Sequence, residues 1–409
     1  MFLTGKYRKS IGPKFGRIPG DIVSRLHEAG TPRIWLHAVS VGEVTAAAPI
    51  VAALRSRFPG AGFILSTSTE TGQEMARNLV NDATAHIYYP IDIPCIVRKV
   101  LDRVRPDVFV PVETELWPNF IRICRERGVR VVMANGRISP RSFRGYRATR
   151  FFWGKILAIL DDAGVISPTD AKRLSAIGMP VSKIHVLGNA KYDGLAARTA
   201  PEMEREMTRT LGIGPEDRVL VAGSTHDGEE SAVVEVYRDI LSRRPDFKLI
   251  LIPRHIERGD AVTDLVRRAG FPDVIRMSAI RNGQVRQGER VIVVDVIGEL
   301  FKVYSLADVV FCGGSLVPKG GQNLLEAAAW GKVVFYGPFM DDFRDERALL
   351  EEVGAGRTVR NREELSAGIL GLLDHPDLLR EKGEAGRRAV AANRGAAARY
   401  AELIAGHLK

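Results

Sequence analysis

Two strand-to-helix junctions in the first half of the chain carry carboxylates that could take part in acid–base chemistry. In HAVSVGE (37–43), a Ser and a Gly form a turn after an apolar run, and Glu43 begins the next helical pattern. A carboxylate at the mouth of a sheet can act as a general base toward a hydroxyl proton. It can also serve only as a helix-start acid that the macrodipole favours. The residue types leave both interpretations open for Glu43.

The second junction has two carboxylates, Glu113 and Glu115, directly after DVFVPV (107–112). If the strand continues, both side chains point to the same side, because side chains alternate along a strand. A helix-start acid ahead of Pro118 accounts for one carboxylate more naturally than two. Lys191 follows the last strand pattern of this half, where the two halves meet, and taken alone it is most simply a linker lysine.

The second half has three junctions that could bind an anion. Pro253 and Arg254 end an apolar run, and an arginine there can hold a phosphate through two parallel hydrogen bonds. The turn Ile297-Gly298-Glu299 repeats the order strand, glycine, acid. A longer loop, 313–326, contains four glycines, and free backbone N–H groups of such a loop can cradle an anion. A carboxylate in the following helix can accept ribose hydroxyls. The polar and glycine positions of this candidate ligand site are Gly313, Gly314, Ser315, Asn323 and Glu326.

Other spacings exclude several kinds of site. No GxGxxG follows the first strand pattern, which argues against a nicotinamide dinucleotide. The stretch GSTHDGE (223–229) has the glycine spacing of a phosphate-binding loop but carries Glu229 where a lysine is required. The eight histidines are scattered, so no HxxxH zinc site exists. No DxD pair indicates a metal-bridged nucleotide diphosphate.

The elements that must position these residues alternate regularly along the chain. Short, continuous apolar runs separated by amphipathic stretches predict α/β halves with parallel sheets covered by helices. The strand patterns are 33–38, 62–66, 86–89, 107–112, 129–134, 163–166, 184–187, 218–222, 248–252, 291–294, 308–311 and 333–336. The predicted divisions are an N-terminal domain over 1–195, a linker over 196–216, a C-terminal domain over 217–377 and a C-terminal helix over 378–409.

Charge and composition narrow the partners. The 409 residues carry a formal net charge of +10, which predicts an anionic partner such as nucleic acid, a membrane surface or a phosphorylated substrate. Only 7% of residues are aromatic and none alternate with Arg or Lys along a strand, which disfavours nucleic acid. Three widely spaced cysteines predict no disulfide framework. Two basic clusters stand out: Lys6, Arg8, Lys9, Lys14 and Arg17, and then Arg137, Arg141, Arg144, Arg147 and Arg150.

These junctions together resemble the 3-deoxy-D-manno-octulosonic acid (Kdo) transferase family of lipopolysaccharide assembly. The matching stretches occur in family order over about 290 residues: HAVSVGE (37–43), ETELWPN (113–119), ANGRIS (134–139), GNAKYD (188–193), PRHIER (253–258), GEL (298–300) and 313–326. ETELWPN and SVGE are the most specific of them.

The resemblance implies a GT-B fold, in which two Rossmann-like domains face each other across the active site. It also implies metal-independent, inverting transfer of Kdo from CMP-Kdo to a lipid A precursor. Glu43 is then the catalytic base, and Glu113 and Lys191 stabilise the transition state. The residues implied for the CMP site are Pro253, Arg254, Ile297, Gly298, Glu299, Gly313, Gly314, Ser315, Asn323, Leu324, Leu325 and Glu326.

One departure from the family concerns the membrane. Family members usually begin with an apolar anchor, whereas this chain goes from Met1-Phe2-Leu3-Thr4 directly to basic residues. Either the anchor is absent or the chain was shortened; in this form we expect peripheral attachment to the anionic cytoplasmic face of the inner membrane, with Arg137, Arg141, Arg144 and Arg147 among the contacts. The alternatives are a GT-B epimerase or hydrolase acting on a soluble sugar nucleotide and, less compatible with the composition, a nucleic-acid-binding protein.

Overall fold

A computed structural model describes residues 8–408 of the chain. Two compact units are present: the first comprises residues up to Gly194 together with Asn393–Lys409, and the second comprises Leu195–Ala392. Lys6, the segment Met1–Thr4 and the side chains of Arg8 and Lys9, which belong to predictions about the N-terminus, lie outside what the structure describes.

The first unit contains a seven-stranded sheet with the order β3-β2-β1-β4-β5-β6-β7 and every strand pair parallel. Its strands are β1 Gly30–His37, β2 Ala61–Thr67, β3 Ala85–Tyr88, β4 Val108–Pro111, β5 Arg130–Gly136, β6 Asp162–Val165 and β7 Ile184–Val186. The helices up to the crossing into the second unit are α1 Arg8–Lys14, α2 Gly20–Glu28, α3 Val41–Arg57, α4 Glu70–Leu79, α5 Pro94–Val104, α6 Pro118–Glu126, α7 Pro140–Ala148, α8 Arg150–Leu157, α9 Pro168–Ile177 and α10 Lys191–Arg198.

The second unit also has a seven-stranded parallel sheet, with the order β10-β11-β9-β8-β12-β13-β14. Its strands are β8 Arg218–Thr225, β9 Phe247–Pro253, β10 Val274–Arg276, β11 Val291–Val293, β12 Val309–Cys312, β13 Val333–Tyr336 and β14 Gly356–Thr358. Its helices are α11 Pro201–Leu211, α12 Glu229–Leu241, α13 Gly259–Arg268, α14 Met277–Arg281, α15 Leu300–Val303, α16 Leu325–Ala329, α17 Arg344–Glu352, α18 Arg362–Leu373 and α19 Pro376–Ala392. The chain then returns to the first unit as α20, Ala396–Ala405.

The central strands have continuous apolar runs because helices cover both faces of each sheet. In β1, Ile34, Trp35 and Leu36 are all fully buried, and because side chains alternate along a strand they enter two different core clusters. Trp35 packs edge-on against Phe120 of α6, with ring centroids 5.2 Å apart, whereas Ile34 and Leu36 contact the cluster that includes α3. The predicted α/β class with parallel sheets is confirmed.

All the predicted strand patterns correspond to strands, and two further strands were missed. β10 and β14 are three residues each, and β14 (GRT) has no apolar side chain to produce a pattern. The C-terminal segment also differs from the single predicted helix: α19 belongs to the second unit and α20 to the first. The segment predicted as a linker contains α11, whose Met207 and Leu211 are buried in the second unit.

The return of α20 fixes the segment that follows β7. The Asp193 carboxylate accepts hydrogen bonds from the backbone N–H groups of Gly395 and Ala397, the latter at 2.8 Å. Tyr400 donates its hydroxyl to the carbonyl of Gly188 at 2.8 Å. These contacts hold both sides of the turn from which the side chain of Lys191 projects.

Candidate active site

Glu43 lies at the carboxyl end of β1, in the first turn of α3. Its Oε2 accepts the backbone N–H of Val39 at 2.6 Å, and its Oε1 accepts the Ser40 hydroxyl at 2.9 Å. Ser40 is the N-cap of α3, but its hydroxyl donates to Glu43 and does not cap a backbone N–H of the helix. The carboxylate is thus held in one orientation, and each oxygen keeps a second lone pair for another proton donor.

Burial makes this carboxylate unusually basic. Loss of hydration is the largest cause, and the nearby carboxylates of Glu115 and Glu113 add to it, whereas the Val39 N–H opposes it; together they raise the pKa of Glu43 to about 7. A general base works best when its pKa is close to the operating pH. Glu43 is thus an acid in the first turn of α3, and this position is compatible with a base at the same residue.

The backbone turns abruptly before Glu113, so the strand does not continue through Glu113 and Glu115. β4 ends at Pro111, and Glu113 has a left-handed backbone with a φ of 60°. A non-glycine residue in this region is uncommon, and such conformations occur preferentially at functional sites. The Glu113 N–H donates to the Ala134 carbonyl at 2.9 Å, which ties the turn to β5.

Lys191 joins the two carboxylate junctions. Its Nζ lies 2.8 Å from Oε1 of Glu113, and both side chains are about one-fifth exposed. The same ammonium lies 3.9 Å from where a Cβ on Gly42 would be. Adjacent strands β1 and β4 are paired up to His37 and Pro111, so their carboxyl ends open at the same place. The structure therefore brings together Glu113 and Lys191, beside the turn that carries Glu43.

Three further residues lie at this edge; Glu115 was noted in the sequence beside Glu113, whereas Asn135 and His37 were not singled out as site residues. Asn135 has a φ of 53°, and its Oδ1 accepts the N–H of Ala190 at 2.9 Å, which positions the start of α10. The Glu115 carboxylate accepts the indole N–H of Trp117 at 3.0 Å, and burial raises its pKa. His37 is fully buried, which lowers its pKa to about 3 and keeps the imidazole neutral. Asn135 occurs within ANGRIS, the only local signal for it.

The ends of the second sheet carry the remaining predicted residues. Pro253 ends β9, and Arg254 follows it with an exposed side chain and a backbone N–H bonded to the Thr225 carbonyl at 2.9 Å. Ile297 is 79% exposed beside Gly298, which has a φ of 90°. Glu299, by contrast, is buried.

The Glu299 carboxylate already has cationic partners. It pairs with the Arg281 guanidinium and lies 3.8 Å from the Lys302 ammonium. The Glu299 side chain therefore stabilises its own loop as well as being a predicted ligand contact.

The glycine loop after β12 differs from the predicted anion cradle. The backbone N–H groups of Gly314, Ser315 and Leu316 donate to the carboxylate of Glu229, at 2.7, 3.0 and 2.9 Å. Glu229 is 1% exposed and also accepts the N–H of His226 at 2.9 Å. The expectation that these loop amides are free is therefore wrong, because an internal carboxylate takes them. Gly313 is required sterically, since its Cβ would lie 2.6 Å from the Ser224 carbonyl.

Glu229 gives a test of this interpretation. In Glu229→Ala, four buried N–H groups lose their acceptor, and each unsatisfied group costs about 1–3 kcal/mol. We expect the free energy of unfolding to fall by about 3 kcal/mol or more, measured by chemical denaturation. Glu235 on the same helix pairs with Arg362 at the surface, so Glu235→Ala should cost less than about 1 kcal/mol. Equal losses in the two variants would contradict the cradle.

The last part of the loop behaves as a helix start. Asn323 Oδ1 accepts the N–H of Leu325 at 3.1 Å, and Glu326 lies in the first turn of α16. Leu324 and Leu325 are buried, so their side chains belong to the core and only their backbone can face a ligand. Asn323 and Glu326 are half-buried, and the Asn323 Nδ2 donates to Glu326 Oε1 at 3.5 Å.

The second basic cluster lies on an exposed helix. α7 has no buried residue, and Arg141, Arg144 and Arg147 are exposed, whereas Arg137 is half-buried. The neighbouring aromatic residues form an exposed group and a packed group. Phe151 and Phe152 are 74% and 42% exposed. Phe143, Tyr146 and Trp153 pack against the core.

Within residues 8–408, no group of three or more His, Cys, Asp or Glu side chains could hold a metal ion. No helix in that range is both long and apolar enough to cross a bilayer.

Two parallel-sheet units of this topology define the GT-B class of glycosyltransferases and related sugar-nucleotide enzymes. The fold is similar to that of UDP-GlcNAc 2-epimerase from Neisseria meningitidis, with a TM-score of 0.61, 13% identity, and 92% of this chain and 99% of that chain covered. It is also similar to a glycosyltransferase from Rickettsia africae, with a TM-score of 0.59, 15% identity and coverage of 92% and 98%. At such low identity these likenesses show the fold alone.

Sequence comparison is more specific. Residues 9–194 match the profile of the 3-deoxy-D-manno-octulosonic-acid transferase (kdotransferase) family. The chain is 32% identical over 382 residues to 3-deoxy-D-manno-octulosonic acid transferase of Haemophilus influenzae, which covers 92% of this chain and 87% of the relative. The chain therefore belongs to the Kdo transferase family, glycosyltransferases of lipopolysaccharide biosynthesis.

Proposed function

We propose that this protein transfers Kdo from CMP-Kdo to a hydroxyl of a lipid A precursor, lipid IVA, with inversion and without a metal, and that Glu43 is the general base. The observation that carries the proposal is the half-buried Glu43 carboxylate, whose pKa is raised to about 7 and which two hydrogen bonds orient. The Lys191 ammonium lies close to Gly42 in the same turn. The family supplies the sugar class; the acceptor and the stereochemistry are part of the proposal.

The proposed reaction needs one proton acceptor and one stabilised leaving group. The acceptor oxygen attacks the anomeric carbon from the face opposite the nucleotide, and its proton passes to Glu43. The bond between that carbon and the phosphate oxygen breaks, and CMP leaves with the electron pair. Lys191, held by Glu113, provides positive charge that can face the carboxylate of the sugar. A donor with a single phosphate needs less counter-charge than a diphosphate, so an arginine such as Arg254 can serve without a metal.

The direct test is a product assay. Purified protein, CMP-Kdo and a tetraacylated, bisphosphorylated lipid A precursor should give a product heavier by one or more Kdo units, and mass spectrometry measures it. Anomeric analysis of that product tests inversion. Undiminished transfer in chelator would agree with metal independence, and release of free Kdo without any lipid product would instead identify a hydrolase.

CMP binding should depend on the second unit. Arg254→Ala and Glu326→Ala each remove a charge-assisted hydrogen bond worth about 1.5–3 kcal/mol, so calorimetry should show CMP affinity reduced about tenfold or more. Binding of the lipid acceptor should change little. Arg268→Ala and Glu363→Ala, at exposed positions on α13 and α18, are the matched controls and should bind CMP normally. An unchanged CMP titration removes that residue from the site.

We also propose that the exposed face of α7 and the start of α8 rest on the anionic cytoplasmic leaflet of the inner membrane. Three exposed arginines and the exposed rings of Phe151 and Phe152 support this, because arginines and aromatic rings suit the headgroup boundary. The triple change Arg141→Glu, Arg144→Glu and Arg147→Glu should reduce sedimentation with anionic vesicles and activity on lipid acceptor, while CMP binding is retained.

Salt and a matched triple change complete this test. At 0.5 M salt the screening length falls to about 4 Å, so wild-type vesicle binding should weaken. Replacing the exposed residues Arg267, Arg268 and Arg380 by Glu changes the net charge equally but in the second unit. If both triple variants lose the same binding, net charge rather than α7 attracts the membrane.

A further inference from the structure

Three consecutive amides of the glycine loop are already taken by an internal carboxylate. Gly314, Ser315 and Leu316 all donate to Glu229, which is buried and already accepts a fourth N–H from His226. A negative charge placed there would compete with a fixed carboxylate. Other groups at the same edge of the sheet are therefore better placed than these three amides to donate to a phosphate.

Positive and polar side chains gather around one residue at that edge, His226. Its ring and that of His255 are 5.7 Å apart and perpendicular. Burial lowers the pKa of His226; Glu229 opposes this, and His255, Lys319 and Arg254 add to it. These residues come from three loops, after β8, β9 and β12, and those three strands are neighbours in the sheet.

His226 has an unused hydrogen-bonding atom. Its Nε2 is buried and has no partner among the described residues. Its position is fixed by the backbone bond to Glu229, and a Cβ on Gly314 would lie 3.3 Å from its Cδ2. Burial and the neighbouring cations lower its pKa, so the ring is neutral near pH 7 and offers a hydrogen bond without adding another charge. An unpaired buried polar group is unfavourable, and a bound acceptor atom removes that cost.

We propose that His226, together with Arg254, His255 and Lys319, forms the subsite that binds the phosphate of the nucleotide donor. This rests on the proposed function and specifies which groups of the second unit receive the phosphate, namely side chains rather than the glycine-loop amides. Cations and a neutral donor suit a phosphate whose negative charge grows as the bond to the sugar breaks.

The experiment compares a nucleotide with its nucleoside. His226→Ala should weaken CMP binding about tenfold, equivalent to about 1.4 kcal/mol, and leave cytidine binding within about twofold. Lys319 is exposed, so its replacement does not disturb the core. Lys319→Ala should also weaken CMP binding more than cytidine binding, by a smaller factor than His226→Ala. His375→Ala, at an exposed histidine of the same unit, should change neither. Calorimetry gives the affinities, and thermal melting of each variant checks folding.

The outcomes separate the subsite from the proposed donor. Unchanged CMP affinity in both His226→Ala and Lys319→Ala, or equal weakening of CMP and cytidine, overturns the subsite. If wild-type protein prefers UMP to CMP, the donor proposal fails, and the UMP–uridine pair then decides the subsite in the same variants. Wild-type protein that binds neither nucleotide overturns both proposals.

Discussion

Glu43→Gln should retain the fold and CMP binding and lose about 10²–10⁴-fold in turnover, the usual contribution of a general base. The amide keeps the shape of the side chain and can still accept one of the two hydrogen bonds from Val39 and Ser40. It cannot take a proton from the acceptor hydroxyl. Initial rates with CMP-Kdo and lipid acceptor measure the loss, and a variant with more than about a tenth of wild-type turnover would show that Glu43 is not the base.

The pH dependence gives a second measure of the same residue. The pKa of Glu43 is raised to about 7, and the base must be ionised, so kcat/KM should rise with pH through about 7. This acid limb should disappear from whatever activity Glu43→Gln retains.

The free energy of unfolding should change with pH in the opposite direction to kcat/KM. Between the ordinary pKa of 4.5 and about 7, Glu43 keeps its proton in the folded protein but loses it in the unfolded chain. The free energy of unfolding therefore falls as pH rises through this range. Glu43→Gln should therefore lose less stability with rising pH than the wild type does. Glu363→Gln, at an exposed first-turn acid of α18, is the matched control and should keep wild-type turnover and both pH profiles.

The second large effect is expected at the ion pair. Lys191→Met removes the ammonium that lies 2.8 Å from Glu113 and should lower kcat about 10²–10³-fold, the range found when one charge-stabilising donor is removed from an active site. Glu113→Gln should be damaging as well, because it frees Lys191 from its position. Single-turnover rates with saturating CMP-Kdo separate this loss from a change in donor binding.

A double-mutant cycle tests whether the two residues act together. Because they are in direct contact, the combined Glu113→Gln and Lys191→Met variant should lose less activity than the product of the two single losses. Lys172→Met, at an exposed lysine of α9 in the same unit, should be neutral. Strictly multiplicative losses would show that the pair does not work as one unit, and wild-type turnover in Lys191→Met would remove it from the reaction.

Local sequence signals were sufficient for the framework and for part of the site. Continuous apolar runs predicted the central strands because these are buried on both faces, as Ile34 and Trp35 of β1 illustrate. Glu43, Glu113 and Lys191 were recognisable because each follows the end of a strand. β14 was not predicted because its three residues are polar or small. They pair with β13 through their backbone, and backbone pairing leaves no side-chain pattern in the sequence.

Other features depend on residues far apart in the chain. The sequence predicted two α/β units and the residues of each strand-to-helix turn, since hydrophobic periodicity and turn residues act over a few positions. Only the tertiary structure decided that Glu229 occupies the amides of a loop 85 residues later, that Asp193 holds the start of α20 across 202 residues, and that the Lys191 ammonium meets Glu113 across 78. Such contacts depend on strand order and on how loops meet at the sheet edge, because an amide or a carboxylate takes whichever partner the fold places within hydrogen-bonding distance.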